Sequence, residues 1–583
     1  MTGPLTEPDA GPVSGPVAGP VTDDGLDRGH LARVSTVVAT GTLLSRLTGL
    51  LRVVFTAAAL GDGLVADSYN LANVAPNIVY ELLIGGVLSA TLVPLFVKAD
   101  QRDDRDGPSA ILSLAFGGIV ALSAVSVAAA PLIARFYGSS PGSGTDGDQY
   151  DLLVLFLYLI LPEIFFYGLT ALLTATLHAR RRFVAAAFAP VLNNVVVIAV
   201  MALVAVVWSE CRPGGAGTCN PITTVGDSVS GQWVVGLGTT AGIAAMVLVL
   251  VWAVRGAGIS FRWRPDRHDP LVREMIRLAG WTVGYVIANQ VALYVVLRLA
   301  NGAPVGTVTT YTIAFIFFQL PHGLIAVTVM TTFLPELSSA ATRGDLVSFR
   351  RRFVVGLRMM MTLLLSATAL LIVFAKVASD IVLDHGAFGD DAAGDVGATV
   401  RLMALGLPAF SLFLYCCRGF YALEDTKTPF QVNAIECVAN IAFAFVLVQW
   451  DAPGLGAAYG AAYIVGAVVA VLALHRRVTF TTEELRPTVL GLARSLGLAV
   501  VVGLVGWGAL EVLGDESQLV GVLLAGAAAT ATFVACSVLV GADGVDEVRA
   551  SLARRRITVA ETSPDADSVD AAPDATADDV DRS

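Results

Sequence analysis

Two arginines, Arg46 and Arg52, stand inside an apolar stretch that otherwise reads as a membrane-spanning helix. An ionised side chain at bilayer depth costs roughly 2.5–3.5 kcal/mol on insertion scales. Such residues are expected to face a water-filled cavity or a polar partner rather than lipid. Arginine stays charged at any relevant pH, and its planar fork of donors matches phosphate. An arginine-lined intramembrane cavity therefore points to an anionic cargo that crosses the bilayer. The competing reading pairs each arginine with a carboxylate or lets it snorkel to an interface. In an ideal helix the two are about 9 Å apart along the axis and about 120° apart around it, which suits two walls of a wide cavity.

Further charges at membrane depth are few: Glu81, Glu163, Arg298, Arg358, Arg401, Arg418, Glu424 and Glu436. Arg298 is expected to face the same cavity. Arg358 and Arg401 read as snorkelling, and Arg418 as a partner of Glu424 or Glu436. Asn433 and Glu436 lie one helical turn apart. They could present oxygens to Na⁺ or carry a proton; the alternative for Glu436 is the internal ion pair with Arg418.

The chain that must position these residues has 583 of them, 55% hydrophobic and 15% charged, with mean hydropathy +0.72. Soluble domains carry about 25% charged residues. The composition predicts an all-α polytopic membrane protein. Fourteen apolar runs lie between residues 31 and 540. Arginine and lysine concentrate in alternate loops, as at Arg180–Arg182, Arg350–Arg352 and Arg476–Arg477. The intervening loops carry Asp146, Asp390 and Asp515 instead. This alternation predicts a cell-membrane protein with both termini in the cytoplasm.

An internal repeat is legible. Pro94 recurs as Pro335, and Ala189-Pro190 with Asn194 recurs as Thr428-Pro429 with Asn433, at offsets of 241 and 239 residues. A period near 240 covers six spans and predicts two parallel lobes around a central cavity. The expected division is a disordered cytoplasmic tail over 1–30, a first lobe over 31–254 and a second over 255–476. Two more spans over 477–540 and an acidic disordered cytoplasmic tail over 541–583 complete it. Pro190 and Pro429 are expected in first helical turns; Pro76, Pro162 and Pro321 are expected to kink their helices.

Four cysteines, Cys416, Cys417, Cys437 and Cys536, lie in apolar runs and read as packing residues. Cys211 and Cys219 share a polar loop; if it lies outside the cytoplasm they could close a disulfide as a loop staple. No metal-ligand spacing appears, and His178, His322 and His385 are scattered. There is no G-x-x-x-x-G-K-[ST] loop, no H-E-x-x-H and no G-x-S-x-G. The expectation is a non-enzyme without a cofactor. With no basic, aromatic-interleaved patch, no nucleic-acid partner is expected.

The stretch Ser45–Pro94 resembles the opening of MurJ/MviN proteins, lipid II flippases of the multidrug/oligosaccharidyl-lipid/polysaccharide exporter superfamily. The matching residues are Ser45, Arg46, Gly49, Arg52, Ala66, Asp67, Pro76, Asn77, Gly86, Ser89, Val93 and Pro94. Further stretches around Leu177–Asn194, Gln319–Pro335 and Phe420–Pro429 resemble the same family, and Gln319-Leu320-Pro321-His322-Gly323 resembles its actinobacterial branch. The resemblance implies lipid II, the undecaprenyl-linked peptidoglycan precursor, as cargo. It also implies alternating access, driven by membrane potential or by Na⁺ or H⁺. Arg46, Arg52, Asp67, Glu81 and Arg298 would serve as cargo-binding residues. Membrane lipids and cell-wall synthesis or division proteins would be partners. Tyr80, Glu81 and Ile316 stand where the family usually has arginine, and Gly85 where it has an acid. That departure leaves two alternatives: a cation-coupled drug exporter of the same superfamily, or a non-transporting scaffold for cell-wall enzymes.

Overall fold

A computed structural model describes residues 28–81, 106–139, 145–180, 182–208, 225, 228–256, 262–513 and 518–539. The regular elements among the described residues are all helices, and there is one isolated β-bridge, His385 to Phe388. The first half contains α1 (Arg28–Leu60), α2 (Leu64–Glu81), α3 (Asp106–Ala128), α4 (Ala130–Phe136), α5 (Thr145–Ile160), α6 (Glu163–Ala179), α7 (Val184–Trp208) and α8 (Val229–Gly256). The second contains α9 (Pro270–Asn301), α10 (Thr307–Pro321), α11 (Val327–Thr342), α12 (Leu346–Leu383), α13 (Asp390–Ala404), α14 (Leu407–Ala422), α15 (Lys427–Leu447) and α16 (Asp451–Val478). Helices α17 (Thr482–Leu513) and α18 (Gln518–Leu539) follow.

Eleven helices are long and apolar enough to cross a membrane, or twelve if the bent pair α13–α14 is one span. The described residues thus fall short of the expected fourteen, for reasons of chain geometry. Lys427–Val478 counts as one stretch of 52 residues, about 78 Å of helix against a hydrocarbon core of about 30 Å. It is broken by a 3₁₀ turn at Val448–Trp450 and by Asp451 at φ 53°, and therefore makes two passes. Residues 82–105, which include part of the expected second span, lie outside the described set.

The helices pack in two groups. In the first, α1 lies on α7, α7 on α8, and α2 on α5 and α6. In the second, α9 lies on α15, α10 on α13, and α16 on α13, α14 and α15. Membrane helices associate by close packing rather than by a hydrophobic drive. At Gly406 and Gly460 the backbones of α14 and α16 approach so closely that a Cβ on Gly406 would overlap the Gly460 Cα. Helix α17 is tied to the second group at its start, where Arg350 Nε meets Glu484 Oε2 at 3.1 Å and Arg350 Nη1 donates to Val478 O at 3.1 Å.

The prolines split. Pro429 sits in the first turn of α15, as expected. Pro190 does not start its helix: α7 begins at Val184, so Pro190 lies inside it. Pro76 is inside α2, Pro162 marks the break between α5 and α6, and Pro321 is followed by a π turn, His322–Ala326. Proline removes one helical amide and crowds the preceding turn, which accounts for the break and the widened turn.

Candidate functional site

The repeat read from sequence reappears as hydrogen bonds. Asn194 Nδ2 on α7 donates to Ser45 O (3.1 Å) and Thr48 Oγ1 (3.0 Å) on α1. In the second half, Asn433 Nδ2 on α15 donates to Tyr285 O on α9 (3.3 Å). Ser45 and Tyr285 are 240 residues apart, Asn194 and Asn433 239. Each buried asparagine holds the first helix of its own half, and in the first half that helix carries Arg46 and Arg52.

Arg46 is exposed although it lies mid-helix. Its Cζ lies 3.9 Å from the point a Cβ on Gly323 would occupy, beside the π turn. His322 of that turn is buried, shares a 2.8 Å hydrogen bond with Ser411 Oγ through Nδ1, and feels the charges of both Arg46 and Arg418. Arg52 is half-buried and acts electrostatically on Glu163 and Tyr69. Glu163 is buried at the start of α6, its Oε1 3.3 Å from Thr240 Oγ1. Tyr69 OH shares a 3.2 Å hydrogen bond with Thr239 Oγ1. Neither Arg46 nor Arg52 makes an ion pair among the described residues, and Glu163 is the buried carboxylate within electrostatic reach of Arg52.

The other expected cargo residues are distributed differently. Asp67 is 3% exposed and already bonded. Its Oδ2 accepts from Gly306 N (2.8 Å), and its Oδ1 from Thr309 N (2.9 Å) and Thr309 Oγ1 (2.6 Å). It caps the N-terminus of α10 from the other half of the molecule, where a carboxylate also meets the favourable end of the helix dipole. Gly306 has φ +94° and a Cβ there would meet Asp62 O at 2.7 Å, so the position favours glycine twice over. Asn70 Nδ2 adds a bond to Thr309 Oγ1 at 3.0 Å. Arg298 is in the last turn of α9, exposed, with its guanidinium lying over Gly138. It belongs to the same end of the molecule as Asp67, not beside Arg46. The Glu81 side chain lies outside the described residues, as do Cys211 and Cys219 and their expected disulfide.

Asp67 is one part of a seal. Where α1 turns into α2 and α9 into α10, Ala387 N donates to Ala58 O (2.9 Å), Gln149 Nε2 to Asn301 Oδ1 (2.8 Å) and Asn301 Nδ2 to Tyr137 O (3.0 Å). The two halves are therefore stitched together at this end. At the opposite end the linker 262–269 ties to α3, with Arg264 N donating to Ser113 Oγ at 2.8 Å.

Around Asn433 the second half is polar and closed. Asn289 Nδ2 donates to Asn433 Oδ1 at 3.1 Å. Glu436 is 1% exposed, and its Oε1 and the Asn440 Oδ1 have no hydrogen-bond partner among the described residues. The expected ion pair of Arg418 with Glu424 or Glu436 does not form among the described residues. Arg418 is exposed on α14, Glu436 is buried on α15 against α16, and Glu424 is exposed in a turn at φ 59°. No group of three or more His, Cys, Asp or Glu among the described residues is arranged to hold a metal ion.

Sequence reasoning noted Glu163 and His322 but gave neither a place beside an arginine. The signal available was their position next to a proline, Pro162 and Pro321, inside an apolar run.

Comparison with known proteins follows this geometry. The family model described as "Lipid II flippase MurJ" matches residues 56–526. Arg46 and Arg52 precede the matched stretch. The "Probable lipid II flippase MurJ" of Rhizobium meliloti (strain 1021) is 31% identical over 420 residues, 72% of this chain and 75% of that protein. That of Rhizobium tropici is 28% identical over 538 residues, 90% of this chain and 97% of the other. Among solved structures, "Lipid II flippase MurJ, inward closed conformation" aligns with TM-score 0.69 at 19% identity, covering 86% of this chain and 98% of that one. A multidrug resistance MATE family transporter of the MOP superfamily, in an inward-facing conformation, aligns with TM-score 0.61 at 12% identity, covering 76% and 98%. These two likenesses are likenesses of fold.

Proposed function

The chain belongs to the lipid II flippase MurJ family, and on that premise we propose that it moves lipid II across the cytoplasmic membrane by alternating access of its two halves. The observation that carries this reading is the seal. Asp67, Asn70, Gly306 and Thr309 join the halves at one end, while Arg46 stands exposed and without an ion pair deeper along α1. With both termini cytoplasmic, the sealed end is the outer one. The cavity of this state then faces the cytoplasm, where lipid II is made available.

In this scheme Arg46 and Arg52 bind the cargo diphosphate. Arg46 has no anion to give up, whereas Arg52 must exchange part of its interaction with Glu163 for phosphate. Separation of Asp67 from the α10 N-terminus opens the outer side, and the headgroup leaves. Only a ligand that binds the two states differently biases such a cycle. The chain has no nucleotide-binding loop, so the drive is an ion gradient or the membrane potential, the latter worth about 2.3 kcal/mol per charge per 100 mV. Asn433 and Glu436, with Asn289, form the coupling site for Na⁺ or H⁺, since a buried carboxylate oxygen without a partner costs free energy unless a cation or proton satisfies it.

The test is lipid II exposed on the outer leaflet of a strain depleted of its own flippase and complemented with variants, with membrane abundance checked in parallel. Arg46→Ala is expected to abolish flipping, and Arg46→Lys to restore it partly, because ammonium keeps the charge and loses the fork. Arg52→Ala is expected to cost less. Normal flipping by abundant Arg46→Ala would make the arginine structural and remove the anionic-cargo argument. Expulsion of a cationic dye in place of lipid II would indicate a drug exporter.

A further inference from the structure

Arg46 reaches the π turn from the first half of the molecule; a second arginine reaches it from the other half. Ser411 on α14 holds His322, and Arg418 lies seven residues further along α14. Seven residues are two turns, about 10.5 Å, so Arg418 shares the helix face that meets His322. Its neighbours Cys416, Cys417, Gly419 and Phe420 are all buried, yet Arg418 itself is exposed. An exposed guanidinium on an otherwise packed stripe points into an opening rather than into the packed group. Arg46 reaches Gly323, and Arg418 shares the helix face whose Ser411 holds His322, so the two arginines approach this one turn from different halves. Neither forms an ion pair among the described residues. Two like charges held by opposite halves around one turn repel, and an anion placed between them removes that repulsion.

We propose that Arg418 is the cargo's diphosphate ligand from the second half, facing Arg46 across the His322–Gly323 turn, with the first-half arginines on one phosphate and Arg418 on the other. This rests on the flippase reading and deepens it. A guanidinium fork takes two phosphate oxygens in parallel hydrogen bonds. Two forks from different halves require two phosphates, so the pair selects a diphosphate lipid over a monophosphate one. The bound diphosphate also bridges the halves, which gives the cargo the differential contact between states that a transport cycle needs.

The experiment measures binding to the full-length protein in lipid nanodiscs, with lipid II, undecaprenyl diphosphate and undecaprenyl monophosphate as separate probes. Wild type is expected to prefer both diphosphates to the monophosphate. Arg418→Gln is expected to weaken diphosphate binding by about tenfold or more and to leave monophosphate binding nearly unchanged, erasing the preference. Arg418→Lys, which keeps the charge and hence insertion, is expected to lose part of that preference. A thermal melt checks that each variant is folded. A folded Arg418→Gln or Arg418→Lys that keeps the full wild-type preference overturns the proposal while leaving the flippase reading intact. Wild type that binds none of the three lipids overturns both.

Discussion

In the first half Asn194 brackets the backbone of α1 at Ser45; in the second, Asn433 brackets α9 at Tyr285. What each bracket surrounds is opposite in chemistry. One period on from Arg46 and Arg52 stand Val286 and Ala292, and one period before Glu436 stands Val197. The same scaffold thus carries cations on its first helix in one half and a buried carboxylate on its fifth in the other. A duplicated fold lets the backbone geometry persist while the charge diverges, because the asparagine bond fixes the helix pair whatever the neighbouring side chains carry. The cationic half suits an anionic cargo and the acidic half a cation. On the proposed reading, ion coupling belongs to the second half alone, whereas the cargo site draws Arg46 and Arg52 from the first half and Arg418 from the second.

The halves also meet through residues related by the repeat. Asp67 bonds Gly306, and Asn70 bonds Thr309, each pair 239 residues apart. Contacts between equivalent positions are what a two-fold axis between two lobes produces. They are made by first-half side chains on a second-half helix N-terminus, so even here the symmetry is broken by chemistry.

The largest effect on this comparison is expected from Asp67→Ala. It removes a buried carboxylate that satisfies two backbone amides and a hydroxyl, and hydrogen bonds to a charged group are worth about 1.5–3 kcal/mol each. Labelling of Asn70→Cys from outside the cell is expected to quicken roughly tenfold or more in that background. Unchanged labelling would mean that the remaining contacts hold the seal by themselves.

A smaller, more selective effect is expected from Glu436→Gln. If the halves divide their work, this change lowers flipping several-fold and removes its dependence on Na⁺ or on the proton gradient, and undecaprenyl diphosphate binding stays at the wild-type level. Loss of lipid binding in folded Glu436→Gln would break the division.

The smallest effects compare the brackets themselves. Asn194→Ala and Asn433→Ala each remove two hydrogen bonds between helices. Bonds between membrane helices average about 0.6 kcal/mol, so each variant is expected to lose about 1 kcal/mol and to lower the melting temperature by a similar, small amount. A large loss in one alone would show that the repeat is conserved in form and not in energetics.

Much of this was legible beforehand. Composition and hydropathy determined an all-helical membrane protein, because a bilayer satisfies backbone polar groups only within helices or closed barrels. The 240-residue period was legible because Asn194 and Asn433 recur at matching positions, and each donates to the backbone of the first helix of its half. Arg46 and Arg52 stood out because charge inside an apolar run is costly enough to need a reason.

Other features were decided only by the tertiary structure. Asp67 read as a cargo residue from its motif, but burial against the α10 N-terminus spends its oxygens on the seal. Arg298 read as cavity-facing from its depth in an apolar run, and its place in the last turn of α9 puts it over Gly138 instead. Arg418 read as half of an internal ion pair, yet α14 turns it outward while Glu436 is packed against Gly466. In each case the residue type and spacing define what the side chain can bond, and the bend or crossing of a helix distant in sequence defines what it meets. The first is local chemistry carried by the sequence; the second depends on helix ends, kinks and packing angles that single-residue patterns do not encode.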